Sequence, residues 1–153
     1  MNYLLQMMTD VREALASSII KEEVITNTDD IKSLTINAGV YIIEEINGDP
    51  VKTYENFLEH KSKYLVAMPK SNAPGNVLYV GSSRNNVKQR LLQHAGFGYR
   101  KTYALHLKDW FNGSLKITVR GYGDVADNVL QLIEDSISFD LKPAFGKRGG
   151  NNK

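Results

Sequence analysis

Arg90 and His94 stand four residues apart within Asn86 to Ala95, where Val87, Leu91 and Leu92 recur at helical spacing. One helical face therefore points both side chains at a single target. A planar, permanently charged guanidinium can grip two phosphate oxygens at once, so that target is best read as a phosphate. Glu134 lies inside the apolar rhythm of Leu132, Ile133 and Ile137, where a carboxylate is costly unless paired. Mg²⁺ binds through few carboxylates and keeps several waters, so one Glu can anchor it; the alternative is a solvated charge beside Asp135. Tyr41 and Tyr79 fall in strand-like segments and are either working phenols or aromatic residues hydrogen-bonded at the core edge. Ser82 to Lys108 carries Arg84, Lys88, Arg90, Arg100, Lys101 and Lys108 with no acidic residue. Such a block attracts polyanions, unless it is simply a solvated basic face.

The elements that must hold these residues follow from periodicity. Tyr3 to about Ile20 spaces Leu4, Leu5, Met8, Val11, Leu15 and Ile19 as an amphipathic helix, and Lys21 to Asn37 suits a linker or a short second helix. Gly39 to Ile46 is a strand that stops at the turn signal Asn47-Gly48-Asp49-Pro50. A short helix is expected over Tyr54 to His60, a strand over Tyr64 to Met68, a loop over Pro69 to Gly75 and a strand over Asn76 to Gly81. A helix from Asn86 to Ala95 is followed by the loop GFGYRK (Gly96 to Lys101), where Phe97, Tyr99 and Tyr103 interleave with cations as nucleic-acid contacts would. Leu105 to Phe111 reads as another helix, Ser114 to Tyr122 as a half-buried strand, and Val125 to Leu141 as a last helix closed by Pro143. No long crossover helix joins the first two good strands, so antiparallel pairing and an α+β class are expected.

The ordered series Gly39-Val40-Tyr41, Tyr79-Val80-Gly81, Arg90, His94, Glu134 and Pro143 resembles the GIY-YIG nuclease family. The resemblance implies a small central antiparallel sheet flanked by helices, preceded by an N-terminal helical extension over 1–36. The nuclease domain would span 37–146, and 147–153 would form a flexible basic tail. It implies an endonuclease that hydrolyses DNA phosphodiester bonds with one Mg²⁺, which Mn²⁺ can replace, RNA being the alternative substrate. In those terms Tyr41 is the general base toward the attacking water and Tyr79 binds water or phosphate beside it. Arg90 stabilises the transition state, His94 contacts phosphate or assists proton transfer, and Glu134 is the metal ligand. A phenol with an ordinary pKa near 10 needs positive charge nearby to act as a base, which Arg90 and the metal would supply. Arg84, Lys88, Arg100 and Lys101 would hold the nucleic-acid backbone. Two departures stand out. Tyr41 and Tyr79 are 38 positions apart, which requires an insertion at about 47–75. Where relatives often place an Asn after the proline, this chain reads Pro143-Ala144-Phe145-Gly146, leaving Asn151 or Asn152 as substitutes.

The remaining composition narrows the alternatives. The 153 residues hold 42% hydrophobic and 24% charged side chains and no Cys, which excludes disulfides, thiolate metal sites and cysteine nucleophiles. The net charge of +2 hides a division: residues 1–60 hold 4 Lys/Arg against 11 Asp/Glu, and residues 61–153 hold 15 against 6. No run suits a membrane span or signal peptide, so a cytoplasmic protein is expected. Cutting both strands would favour a homodimer. The competing functions are a catalytically inactive nucleic-acid-binding module of the same fold, or a protein-interaction adaptor that uses the opposed charges.

Overall fold

The computed structural model describes residues 2–64, 67–99 and 101–148. Its elements are α1 (Tyr3–Ala16), β1 (Lys21–Ile25), a 3₁₀ turn (Thr28–Ser33), β2 (Gly39–Ile46), α2 (Pro50–Lys63), β3 (Val77–Ser83), α3 (Val87–Ala95), a second 3₁₀ turn (Leu107–Asp109), β4 (Ser114–Gly121) and α4 (Asp127–Leu141). The strands form one sheet in the order β1-β4-β2-β3, every neighbouring pair antiparallel. The α+β class and the central antiparallel sheet flanked by helices are therefore present. Among the described residues no helix is long and apolar enough to cross a membrane.

Strand β2 is central and nearly continuous in apolar residues because both its faces are covered. Val40 and Ile42 point to one side, where Val129, Leu130 and Ile133 of α4 meet them with Val80. Tyr41 and Ile43 point to the other, into a larger core with Phe57 of α2, Val87 and Leu91 of α3, Trp110 and Phe145. Between Ile43 and Glu44 the register with β3 shifts: Ile43 pairs with Tyr79 and Glu44 with Val77, leaving Leu78 as an extra residue. A bulge of this kind lets consecutive side chains share a face, and Leu78 and Tyr79 both turn toward the larger core.

Several expected elements differ. The N-terminal helix ends at Ala16, and the segment 21–37 is neither linker nor helix over its first part but the edge strand β1, paired to β4. The N-terminal extension thus adds a strand to the sheet. Leu4, Leu5, Met8, Val11 and Leu15 stay largely exposed on α1, whose buried residue is Asp10, held by Gln6. Helix α2 runs well beyond Tyr54 to His60 because Asp49 caps its N-terminus and Pro50 opens it. The segment expected as an insertion contributes directly to the core, since Phe57 stacks on Phe145 at 3.8 Å and meets Trp110 edge-on. Residues 67–70 are not a strand, and Leu65 and Val66 lie outside the described residues. Leu105 to Phe111 makes only the 3₁₀ turn, because Trp110 turns its indole N–H back to the Leu105 carbonyl at 2.6 Å while its ring enters the core. Of the tail, 147–148 are described: Ser138 donates to the Lys147 carbonyl at 2.7 Å.

Candidate active site

Tyr41 sits on the inward face of β2, directly across from Gly81 on β3, and is 1% exposed. The pairing requires glycine. A Cβ at position 81 would lie 2.5 Å from the Tyr41 hydroxyl oxygen and 2.6 Å from Cζ, so the phenol occupies the space a side chain would fill. Tyr79, two residues earlier, stacks on Tyr41 with centroids 6.3 Å apart and rings inclined by 13°. His94 of α3 closes the cluster, its ring 4.3 Å from Tyr79 and 5.5 Å from Tyr41. The two motifs meet at one point of register: Tyr41 of the first lies across from Gly81 of the second, while Tyr79 pairs with Ile43.

The hydrogen bonds of His94 fix its tautomer. The Leu105 backbone N–H donates to Nδ1 at 3.1 Å, so Nδ1 carries no proton. Burial first, then the charges of Arg90 and His106, hold the imidazole pKa well below its ordinary value, so the ring is neutral near pH 7. The remaining proton is on Nε2, which lies 3.1 Å from Tyr41 Oη and donates to it. Tyr41 thereby keeps its own O–H available for another acceptor. His94 is thus fully buried and bonded at both nitrogens, through Nε2 to Tyr41 and through Nδ1 to Leu105.

Arg90 is partly exposed on the neighbouring face of α3. Its Nη1 donates to Gln93 at 2.8 Å and its Nη2 to the Tyr103 carbonyl at 2.6 Å. Its charge reaches both tyrosines, favouring their phenolate forms. Burial outweighs it: desolvation, reinforced by the neighbouring Tyr79 and Glu134, raises the Tyr41 phenol well above its ordinary value. Tyr79 is raised as well, by burial first, with Glu134 adding to the shift and Arg90 opposing it.

Glu134 reaches the same region from α4, which packs against the opposite face of the sheet beside the edge strand β3. Ser82 Oγ donates to Oε1 at 2.8 Å and Gln131 Nε2 to Oε2 at 3.0 Å. Burial raises its pKa, the hydrogen bonds from Ser82 and Gln131 lower it, Asp135 raises it and Lys147 lowers it, the net shift being upward. Among the described residues no ion pair balances this charge. The Glu134 carboxylate and the Ser82 hydroxyl offer oxygen ligands, which suit a hard cation such as Mg²⁺, while the Gln131 amide N–H is a hydrogen-bond donor and not a ligand. Among the described residues no three His, Cys, Asp or Glu side chains converge, so such a cation would draw its other ligands from water and substrate. Ser82 and Gln131 escaped the sequence reading. The one signal was spacing, since Gln131 and Glu134 lie three apart on a helix.

The expected backbone-binding cations divide. Arg84 is exposed and lies 3.5 Å from Asp127, and Lys101 is exposed in a turn. Lys88 turns away from Arg90, donating to the Lys32 carbonyl at 3.3 Å. Arg100 lies outside the described residues, as do Asn151 and Asn152.

The C-terminal departure has a physical reason. Gly146 has φ +89° and passes so close to Tyr79 that a Cβ there would lie 2.6 Å from its Cε2. An asparagine does not fit unless Tyr79 moves. The amide near this turn comes instead from Asn72, whose Nδ2 donates to the Pro143 carbonyl at 3.0 Å and the Gly146 carbonyl at 2.8 Å. Ala144 and Phe145 add N–H bonds to the Val77 and Leu78 carbonyls, so this segment covers the outer edge of β3. Comparison with protein-family models, with curated proteins and with solved structures finds no match to this chain.

Proposed function

We propose that this chain is a metal-dependent endonuclease of the GIY-YIG type that hydrolyses DNA phosphodiester bonds. The observation that carries the reading is one cluster: Tyr41, hydrogen-bonded by His94, stacked on Tyr79, and within electrostatic reach of both Arg90 and Glu134. Tyr41 and His94 are buried, with Arg90 and Glu134 partly exposed beside them, and a purely structural core has little reason to gather a phenol, an imidazole, a guanidinium and a carboxylate at one place, since desolvating such groups is costly.

In the reaction, water attacks phosphorus and gives one proton to Tyr41, the P–O ester bond to the leaving oxygen breaks, and that oxygen takes a proton from solvent water. The phenolate that receives it is favoured by the Nε2–H of His94 and by Arg90, and opposed by burial, Tyr79 and Glu134. A divalent cation bound at Glu134 would offset that carboxylate's opposing charge and polarise the phosphoryl oxygens. Arg90 answers the negative charge that develops on those oxygens. Tyr79 orders the water or phosphate beside Tyr41. His94 is a positioning residue: its Nε2–H bonds the Tyr41 oxygen and fixes where that oxygen sits.

The test is conversion of supercoiled plasmid by the purified protein with Mg²⁺ or Mn²⁺, with EDTA and Glu134→Gln as controls. Gln preserves the hydrogen-bonding shape while removing the charge. Nicking that depends on metal and vanishes in Glu134→Gln supports the reading. Absence of cleavage, with salt-sensitive DNA binding intact, would leave a module that binds without cutting.

A further inference from the structure

The loop joining α3 to the second 3₁₀ turn exposes three large aromatic side chains within seven residues: Phe97 at 59%, Tyr99 at 69% and Tyr103 at 68%. Its surroundings are cationic, with Lys101 exposed and Lys108 Nζ 4.9 Å from the centre of the Phe97 ring. The loop is also fastened to the candidate active site. Arg90 holds the carbonyl of Tyr103, and the N–H of Leu105, two residues on, sets the tautomer of His94. Phe97 is anchored at the other end through its N–H to the Leu92 carbonyl at 2.9 Å. The Tyr103 end of the loop is thus held at the guanidinium that would grip the scissile phosphate, while Phe97 lines a cavity with Leu92 and Lys32.

Unbroken duplex DNA offers such rings little, because its bases are stacked on one another and only sugar and phosphate face outward. Aromatic side chains gain by stacking when a base is already free or displaced. We propose that this loop stacks on unpaired nucleotides next to the cleaved bond, so that the substrate class is DNA carrying a displaced or single-stranded segment, such as a flap or bubble. The proposal rests on the nuclease reading and specifies its substrate. Lys101 on this loop and Lys108 at its end hold the backbone of the displaced strand, and the rings hold its bases, without reading sequence.

The experiment uses a flap oligonucleotide with 2-aminopurine at the first unpaired position, and an unbroken duplex of the same sequence. Fluorescence is read in EDTA with the full-length protein and with the Phe97→Ala/Tyr99→Ala/Tyr103→Ala variant; cleavage is read separately with Mg²⁺. All three side chains are exposed, so their truncation leaves the core in place, which a thermal melt checks. Expected are quenching by the wild-type chain that the variant loses, and flap cleavage faster than duplex cleavage by about tenfold or more, a preference the variant erases. Equal cleavage of flap and duplex, or quenching unchanged in the variant, overturns the proposal while leaving the nuclease reading intact. Quenching lost in the variant with no cleavage of either DNA supports the stacking loop and overturns the nuclease reading.

Discussion

Replacing Gly81 by alanine puts a methyl group 2.5 Å from the Tyr41 oxygen, 2.6 Å from Cζ and 2.9 Å from Cε2. Favourable contacts between carbon atoms lie near 3.5–4.0 Å, so the phenol must retreat by about 1 Å. It has no free direction, because Tyr41 is 1% exposed and enclosed by Tyr79 and His94. Overpacking of this kind destabilises by about 1–3 kcal/mol. A reacting group displaced by about 1 Å can lose about 100-fold in rate. The expected Gly81→Ala protein therefore unfolds at lower urea and, on the nuclease function proposed above, nicks plasmid about 100-fold more slowly in Mg²⁺. Gly75→Ala is the matched control, since no atom lies within 4 Å of the added methyl. Wild-type stability and nicking in Gly81→Ala would show that the phenol is not pinned against β3, and the cross-strand account of the site would fail.

Asn72→Ala should lower stability by about 1–3 kcal/mol, since two carbonyls of the Pro143–Gly146 turn lose their donor; urea unfolding checks this. Gly146→Asn should destabilise too, through the contact at 2.6 Å and a φ of +89° that side chains rarely adopt, and should alter Tyr79 resonances by NMR. For His94, a folded-state pKa below 6.5 means that the unfolded chain binds a proton the folded chain refuses. Stability from this residue is complete above that value and falls as pH drops below it, by at most about 1.4 kcal/mol per pH unit. His94→Gln can still accept from Leu105 and donate to Tyr41, so it should flatten that part of the pH profile; urea midpoints at about pH 7.5 and 5.5 compare the two.

The legible parts of the fold were those whose side chains follow one period. The strands β2, β3 and β4 and helices α3 and α4 fall where apolar alternation or helical spacing is strong. β1 was hidden because Lys21, Glu22 and Glu23 are charges that an edge strand tolerates on its exposed side. The extent of α2 was obscured by its mixed composition, although Phe57 ties it to Trp110 and Phe145 and Tyr54 stacks on Phe145. Within the site, the identities of Tyr41, Tyr79, Arg90, His94 and Glu134 could be read from the order of motifs. The burial of His94 could not, because it depends on the N–H of Leu105, 11 residues away. Nor could Asn72, whose carbonyl partners lie 71 and 74 residues further along the chain.

The extra residue at Leu78 divides β3 into two stretches of different phase. From Tyr79 to Ser83 the strand keeps step with β2, and Tyr79, Gly81 and Ser82 face their partners; at Val77 the pairing has moved by one residue. The bulge is thus a slip joint between the site and the long connection that precedes it. Removing Leu78 would merge the two stretches into a regular ladder and leave Tyr41 opposite Gly81, whereas removing Val80 would turn Tyr79 through to the α4 side. Length changes on the two sides of one residue therefore have opposite consequences for the tyrosine pair.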